Sequence, residues 1–306
     1  MRGVVGVDLG KTSCRVVVRD DDGTRSAEAP GAPGLASPDG VARAVDAVLV
    51  GLRAAGTGPG AVCVGVGAAG ALAAPAAAAR LAAALASACH GPVAVTSDAT
   101  VAHAGAFAGR AGTVVAVGTG TVLVELDDAG TLRTLDGWGP WLGDDGSGSW
   151  LGRAGLRAVL RAAEGRGEPT ALTDRAGAWG GEPAAIPGLV AASDAPARTL
   201  ASFAPHVLAS VREGDAVARA VVEDAVRAVA DACAHATPPY ALVGGIATAE
   251  PFGPALRAAL GPQRVVTPDP APPDGPRLEP ALRGALLLAT DPTTPYERTV
   301  SRRDPV

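Results

Sequence analysis

The residues in this chain best suited to chemistry are short carboxylates set beside glycine. Residues 136–152 read DGWGPWLGDDGSGSWLG. They hold three of the chain's four tryptophans (Trp138, Trp141 and Trp150) beside Asp136, Asp144, Asp145 and six glycines. Glycine at this density lets backbone pass close to a ligand and take up φ > 0. A polyhydroxylated ligand needs flat aromatic rings to stack on and carboxylates to accept from its hydroxyls. The same composition also suits a glycine-rich loop with buried tryptophans. Asp8 closes an apolar run, GVVGVDL, where an unpaired carboxylate is costly. A hydrated cation is one partner for it. Gly10, Lys11 and Thr12 follow Asp8, and Gly118, Thr119 and Gly120 form a second short Gly/Thr loop. Each reads either as an ordinary turn or as a set of backbone N–H and hydroxyl donors for phosphate. Asp98, in Ser97-Asp98-Ala99, opens a helix, where capping is the default role of an aspartate.

These residues need elements to position them. Apolar runs at 3–9 and 14–19 predict a β-hairpin with the first Gly/Thr loop at its tip. Runs at 112–117 and 121–126 predict a second hairpin around Gly118, Thr119 and Gly120. Two such hairpins, one opening each half of the chain, are the mark of a duplicated fold. Helical spacing predicts helices at 41–55, 76–89, 98–108, 147–163, 196–212, 215–236, 252–260 and 279–289. Further strands are expected at 61–66, 93–96 and 240–243, the last running into Gly244 and Gly245. A strand, a Gly-Gly turn and a helix leave bare backbone for a base and ribose. Residues 20–40 are expected as turn, short strand and loop, 164–194 as irregular, 262–279 as a Pro-rich loop and 291–306 as a frayed end. The alternation of strands and helices argues for a mixed α/β protein of roughly two domains.

Composition narrows the partners. The net charge of −5 is spread along the chain, which does not suit nucleic acid or an anionic membrane. Lys11 is the single lysine. The four cysteines (Cys14, Cys63, Cys89 and Cys233) stand apart, with no CxxC pair, so buried free thiols are expected rather than a zinc site or disulfides. Residues 61–79 carry no charge, but they are Ala-rich and broken by Gly65, Gly67, Gly70 and Pro75, so no membrane span is expected there.

The stretch GWGPWLGDDGS at 137–147, with a helix after it, resembles the BadF/BadG/BcrA/BcrD ATPase family and, within it, the N-acetylglucosamine kinases. The resemblance implies the actin / sugar kinase / Hsp70-like fold. That is an α/β protein of two ribonuclease H-like (actin-like ATPase) domains around an interdomain cleft, here 1–104 and 105–290, with 291–306 a tail. It implies ATP and Mg²⁺ as cofactors, a small-molecule sugar as substrate, a cytoplasmic location and a homodimer. Asp8 falls at the position that holds Mg²⁺. Gly10, Lys11 and Thr12 fall at the first phosphate loop, Gly118, Thr119 and Gly120 at the second, and Gly244 and Gly245 at the adenosine motif. Asp98 falls at the catalytic base, and Trp138, Gly139 and Asp144 fall at the sugar loop. The implied activity is transfer of the ATP γ-phosphate to the primary hydroxyl of N-acetylglucosamine or a related sugar.

The sequence departs from that pattern in three places. Lys11 stands where the first loop has glycine, Val122 stands where N-acetylglucosamine kinases carry Asn, and residues 32–38 lack the Asn often found there. These changes leave the sugar itself open, since discrimination among hydroxyl-rich ligands rests on such polar contacts. Two other readings stand beside the kinase. One is an ATPase activator of a CoA-ester dehydratase, which needs cysteines for a shared iron–sulfur cluster. The other is a non-catalytic sensor of sugar or nucleotide.

Overall fold

The computed structural model describes residues 3–57, 62–267 and 278–305. The chain opens with β1 (Val4–Leu9), β2 (Ser13–Asp20) and β3 (Gly23–Pro30), then α1 (Gly40–Ala54), β4 (Cys63–Ala68), α2 (Pro75–Cys89), β5 (Val93–Thr96) and α3 (Asp98–Phe107). A second run of strands follows: β6 (Gly112–Val117), β7 (Thr121–Leu126) and β8 (Leu132–Asp136). Six helices come next: α4 (Gly148–Ala163), α5 (Leu172–Gly180), α6 (Ile186–Ala191), α7 (Pro196–Ala201), α8 (Ala204–Arg212) and α9 (Ala216–Cys233). The chain ends with β9 (Tyr240–Val243), α10 (Gly245–Thr248), α11 (Phe252–Leu260), β10 (Val265–Val266), α12 (Pro280–Thr290) and β11 (Ser301–Arg303).

The protein is mixed α/β with two sheets, as expected. Its contacts divide it into two units. The first unit comprises Met1–Val114, Leu126–Leu132 and Thr267–Val306, and the second Val115–Glu125 and Arg133–Val266. The sequence reading placed the division near 104 and set 291–306 apart.

In the first unit, six strands run in the order β11-β5-β4-β1-β2-β3. β1 pairs antiparallel with β2 and parallel with β4, and β4 pairs parallel with β5. Val5, Val7, Val16, Val18, Val64 and Val66 are buried on the face that α1 and α2 cover. Such runs of buried β-branched residues are what interior strands require. On the other face α3 and α12 pack against each other and against the sheet. Glycine makes this approach possible: a Cβ on Gly105 of α3 would overlap the backbone of α12, and one on Gly284 of α12 would overlap that of α3. Gly67 of β4 likewise leaves room for Val101 and for the Cα of Asp98, which lies 3.2 Å from where a Cβ would stand.

In the second unit the strand order is β10-β9-β6-β7-β8. Val115, Val117, Leu123, Leu151, Phe203, Phe252 and Leu256 form its core with the helices α4 to α11. The helix expected over 196–212 is two helices, because Pro205 has no N–H to continue the ladder and Phe203 turns into the core at the break. Residues 164–194, expected as irregular, contain α5 and α6. Leu172, Ala176 and Ile186 bury their side chains there, and Asp215 accepts from Thr170 Oγ1 at 3.0 Å and Ala171 N at 2.7 Å.

The end of the chain corrects another expectation. It is not frayed: β11 pairs antiparallel with β5, and Tyr296 is fully buried. The first residue of the strand expected at 61–66, and residues 268–277 of the expected Pro-rich loop, lie outside the described residues.

Candidate functional site

In the first unit the hairpin β1–β2 sets Asp8 opposite Arg15. Asp8 is buried, with 8% of the residue's surface exposed, and Arg15 Nη2 lies 3.4 Å from its Oδ2. Arg15 also pairs through Nη1 with Glu279, just ahead of α12. Burial pushes the Asp8 carboxyl up from 3.8 to about 6, against the pull of Arg15 and with a smaller push from the charge of Asp98. A carboxylate held in this state is short of positive charge.

The tip of that hairpin is closed by Gly10 N–H donating to Ser13 O at 2.9 Å. It is also tied to the segment after β3, since Gly31 N donates to Thr12 O at 3.0 Å and Ala32 N donates to Gly10 O at 3.2 Å. Thr12 is exposed, and the Lys11 stem passes beside Gly34. The Gly10 amide is therefore engaged within the turn.

Asp98 is the first residue of α3. The cap is not Asp98 but Ser97, whose Oγ accepts from Thr100 N at 2.9 Å and pairs with Thr100 Oγ1 at 2.8 Å. With Ser97 satisfying the helix end, the Asp98 carboxylate is left for other work. It accepts from Ala99 N at 2.9 Å. Burial raises its pKa, opposed by that N–H and by the charge of Lys11. Asp8, Lys11, Arg15 and Asp98 thus form one electrostatic group.

In the second unit the loop of Gly118, Thr119 and Gly120 joins β6 to β7. Its carbonyls hold the start of α4: Gly148 N donates to Gly118 O at 2.8 Å and Ser149 N to Thr119 O at 3.0 Å. Next to it, Thr121 Oγ1 is buried without a hydrogen-bond partner. The tryptophan-rich loop is organised by Asp136. Its Oδ1 accepts from Gly137 N at 2.7 Å and Asp144 N at 2.8 Å, and its Oδ2 accepts from Asp145 N at 3.0 Å. Asp136 and Asp144 both take left-handed backbone, at φ 59° and 55°. Asp144 is buried against Gly120.

Trp138 and Trp141 are 76% and 66% exposed, whereas Trp150 is half-buried and packs on the core, so only one of the three tryptophans behaves as a packing residue. Gly139, at φ 86°, turns the chain between the two exposed rings, and Val122 lies against Gly137.

Gly244 has a structural reason for its identity. Its φ is 97°, and a Cβ would lie 2.5 Å from Val117 O. Gly245 beside it is exposed, with open space where a Cβ would point.

The sequence reading missed Arg15, the organising role of Asp136 and the unpartnered Thr121 hydroxyl. The hairpin register would have exposed Arg15, because a tip at 10–13 sets residue 15 across from residue 8. Of the cysteines, Cys14, Cys89 and Cys233 are buried and Cys63 is half-buried. Burial pushes the Cys14 and Cys233 thiols up to about 12, which makes them inert packing groups. Among the described residues no helix is long and apolar enough to cross a membrane, and no cluster of three or more His, Cys, Asp or Glu is placed to hold a metal.

Comparison with known proteins agrees with this layout. A candidate N-acetylglucosamine kinase from Chromobacterium violaceum is 29% identical and superposes with a TM-score of 0.75, over 95% of this chain and 99% of that one. A candidate N-acetylglucosamine kinase from Porphyromonas gingivalis is 16% identical, with a TM-score of 0.68 over 94% and 98% of the two chains. A ROK family glucokinase from Streptomyces griseus, solved with glucose and AMPPNP, is 21% identical, with a TM-score of 0.53 over 94% and 98%. These likenesses establish the two-domain actin-like fold. No curated protein matches the sequence. The profile of one family matches residues 5–289, nearly the whole length, and on that match the chain belongs to the BadF/BadG/BcrA/BcrD ATPase family.

Proposed function

We propose that this protein is an ATP-dependent sugar kinase acting on the primary hydroxyl of N-acetylglucosamine or a related amino sugar or hexose. The observation that carries this reading is Asp98: a half-buried carboxylate at the start of α3, relieved of capping by Ser97 and given a raised pKa by burial. A base of this kind is matched to work nearer neutral pH. The 29% identity to the Chromobacterium candidate kinase supports the same reading.

In the proposed reaction the sugar hydroxyl oxygen bonds to the γ-phosphorus as the bond to the β-phosphate oxygen breaks. Asp98 takes the hydroxyl proton, and ADP leaves. Trp138 offers an exposed face to the sugar ring, with Gly139 and Asp144 beside it. Lys11 and Thr12 in the first unit are proposed as phosphate-binding groups, as is the loop of Gly118, Thr119 and Gly120 in the second, where Gly245, with Gly244, is proposed to offer bare backbone to the adenosine. Asp8 is the residue that would hold Mg²⁺. Its buried, charge-poor carboxylate fits a divalent cation, and one carboxylate with water and phosphate oxygens is a usual Mg²⁺ shell. When bound, the metal neutralises charge on the transferring group. We place this activity in the cytoplasm and in a homodimer.

The test is ADP release from ATP and Mg²⁺ across a panel of N-acetylglucosamine, N-acetylmannosamine, glucosamine and glucose. Sugar-dependent release with formation of a sugar phosphate is expected. ATP hydrolysis indifferent to every sugar would remove the kinase reading.

A further inference from the structure

The chain after α12 does something that the family profile does not cover, since that profile ends at residue 289. Residues 291–305 return along β5 and α3, the segment that carries Asp98, and hold it on both sides of that residue. Before Asp98, β11 pairs with β5 through Ser301 to Val95, Arg302 to Ala94 and Arg303 to Val93, and Thr299 Oγ1 lies 3.2 Å from Thr96 Oγ1. After Asp98, the Tyr296 hydroxyl lies 2.8 Å from His103 Nδ1 and 3.2 Å from Gly109 N.

The protons in this second tie can be assigned. His103 Nε2 lies 2.9 Å from Gly112 O, a group that can only accept, so Nε2 carries the hydrogen. Nδ1 is then the acceptor, and the Tyr296 O–H donates to it while its oxygen accepts from Gly109 N–H. His103 and Tyr296 are both fully buried, and burial lowers the pKa of His103, so the ring stays neutral and the network is satisfied without charge.

Asp98 lies two residues from the Thr96 tie and five from the His103 tie. Its helix is pressed on α12 through Gly105 and Gly284, so it has little freedom to shift along its own length without breaking these contacts. The tail is itself braced: Arg302 donates to Glu297 Oε1 at 2.6 Å and to Asp291 O at 3.0 Å. Buried polar ties of this kind fix geometry more than they add net stability.

We infer that the C-terminal segment is a strap that positions Asp98 for proton transfer, with Tyr296 and Thr299 as its positioning residues. This rests on Asp98 being the base in the proposed kinase reaction. A displacement of about 1 Å at a reacting group can cost on the order of 10²-fold in rate, so the strap acts on kcat rather than on substrate binding.

The experiment uses the full chain and five variants: Tyr296→Phe, Thr299→Val, Thr299→Ser, Tyr296→Phe combined with Thr299→Val, and Asp98→Asn in the otherwise unaltered protein. Turnover is measured with ATP, Mg²⁺ and N-acetylglucosamine, N-acetylmannosamine or glucose, whichever is turned over fastest. The double variant is expected to lose about 10-fold or more in kcat with both KM values within about 2-fold, and to shift the acid limb of its kcat–pH profile. Thr299→Ser in place of Val, which keeps the hydroxyl, is expected to restore most of the Thr299 contribution. An unchanged kcat and acid limb in the double variant, with Asp98→Asn inactive, overturns the strap and leaves the base intact. A loss of kcat that only tracks a smaller fraction of folded, ATP-binding protein overturns it too. Turnover that survives in Asp98→Asn removes the base, and the strap with it.

Discussion

Asp144 and Gly120 meet side by side: a Cβ on residue 120 would stand 2.6 Å from Asp144 Oδ2 and 3.0 Å from its Cγ. The loop proposed to face phosphate and the loop proposed to face sugar are therefore in contact within one unit. Asp144 cannot easily retreat, since it is buried and in left-handed backbone. Gly120→Ala is expected to destabilise the protein by about 1–3 kcal/mol, the usual cost of overpacking. It should also lower kcat/KM at least 10-fold. Urea unfolding and the ADP-release assay check the two effects separately.

Asp98→Asn is expected to keep ATP binding and lose sugar phosphorylation by roughly 10²–10⁴-fold, the usual contribution of a positioned base. A general base works deprotonated, so on the proposed assignment kcat should fall as pH drops through the raised pKa of Asp98. The Lys11 charge holds that pKa down, so Lys11→Met should move the acid limb of the profile to higher pH. A limb that stays in place would show that Lys11 does not act on Asp98.

The raised pKa of Asp8 carries a cost in stability. Its folded pKa of about 6 stands above the ordinary 3.8, so the folded state holds the proton more tightly than the unfolded one. Stability is then lost as pH rises from about 4 to about 6 and stays low above that. A shift of that size corresponds to about 3 kcal/mol at neutral pH. In the presence of EDTA, Asp8→Asn is expected to raise stability at pH 8 by about 1–3 kcal/mol, less whatever Arg15 loses as its partner, with the gain vanishing near pH 4. The same variant should lose Mg²⁺-dependent turnover. Thermal unfolding at pH 4 and pH 8 checks the first claim.

Trp138 is 76% exposed and contributes little to the core. Trp138→Ala is expected to leave the melting temperature within about 2 °C of the unaltered protein, since surface changes sit within about 0.5 kcal/mol. KM for the sugar should rise several-fold while KM for ATP holds. Equal changes in both constants would place the ring outside the sugar site.

Much of this was legible in the sequence because local patterns decide it. The strands that became β5, β6 and β7 are apolar runs closed by glycine or polar residues, and the structure keeps the expected limits of all three. The two Gly/Thr loops fall at hairpin tips because nothing else in those runs permits a tight turn. The C-terminal segment was not legible. The sequence from Pro295 to Arg303 is polar and shows no period, and what orders it is a tyrosine that meets a histidine 193 positions away. The work of Asp136 was hidden for a similar reason, since three amides converge on it only once the loop has folded. Ser97 and Asp98 show a different limit. Either residue type suits a helix cap, and the sequence could not say which of two neighbours takes it.

The order in which a ribosome delivers this chain follows from the place of its last strand. All residues of the second unit are made by position 266, but the first unit lacks α12 until 290 and its edge strand β11 until 303. Val17 of β2 and Val4 of β1, which meet Leu282 and Leu286 of α12, are therefore made early and covered late. The first unit is started before the second and completed after it, and a nascent chain stalled before residue 280 presents that uncovered sheet face to chaperones.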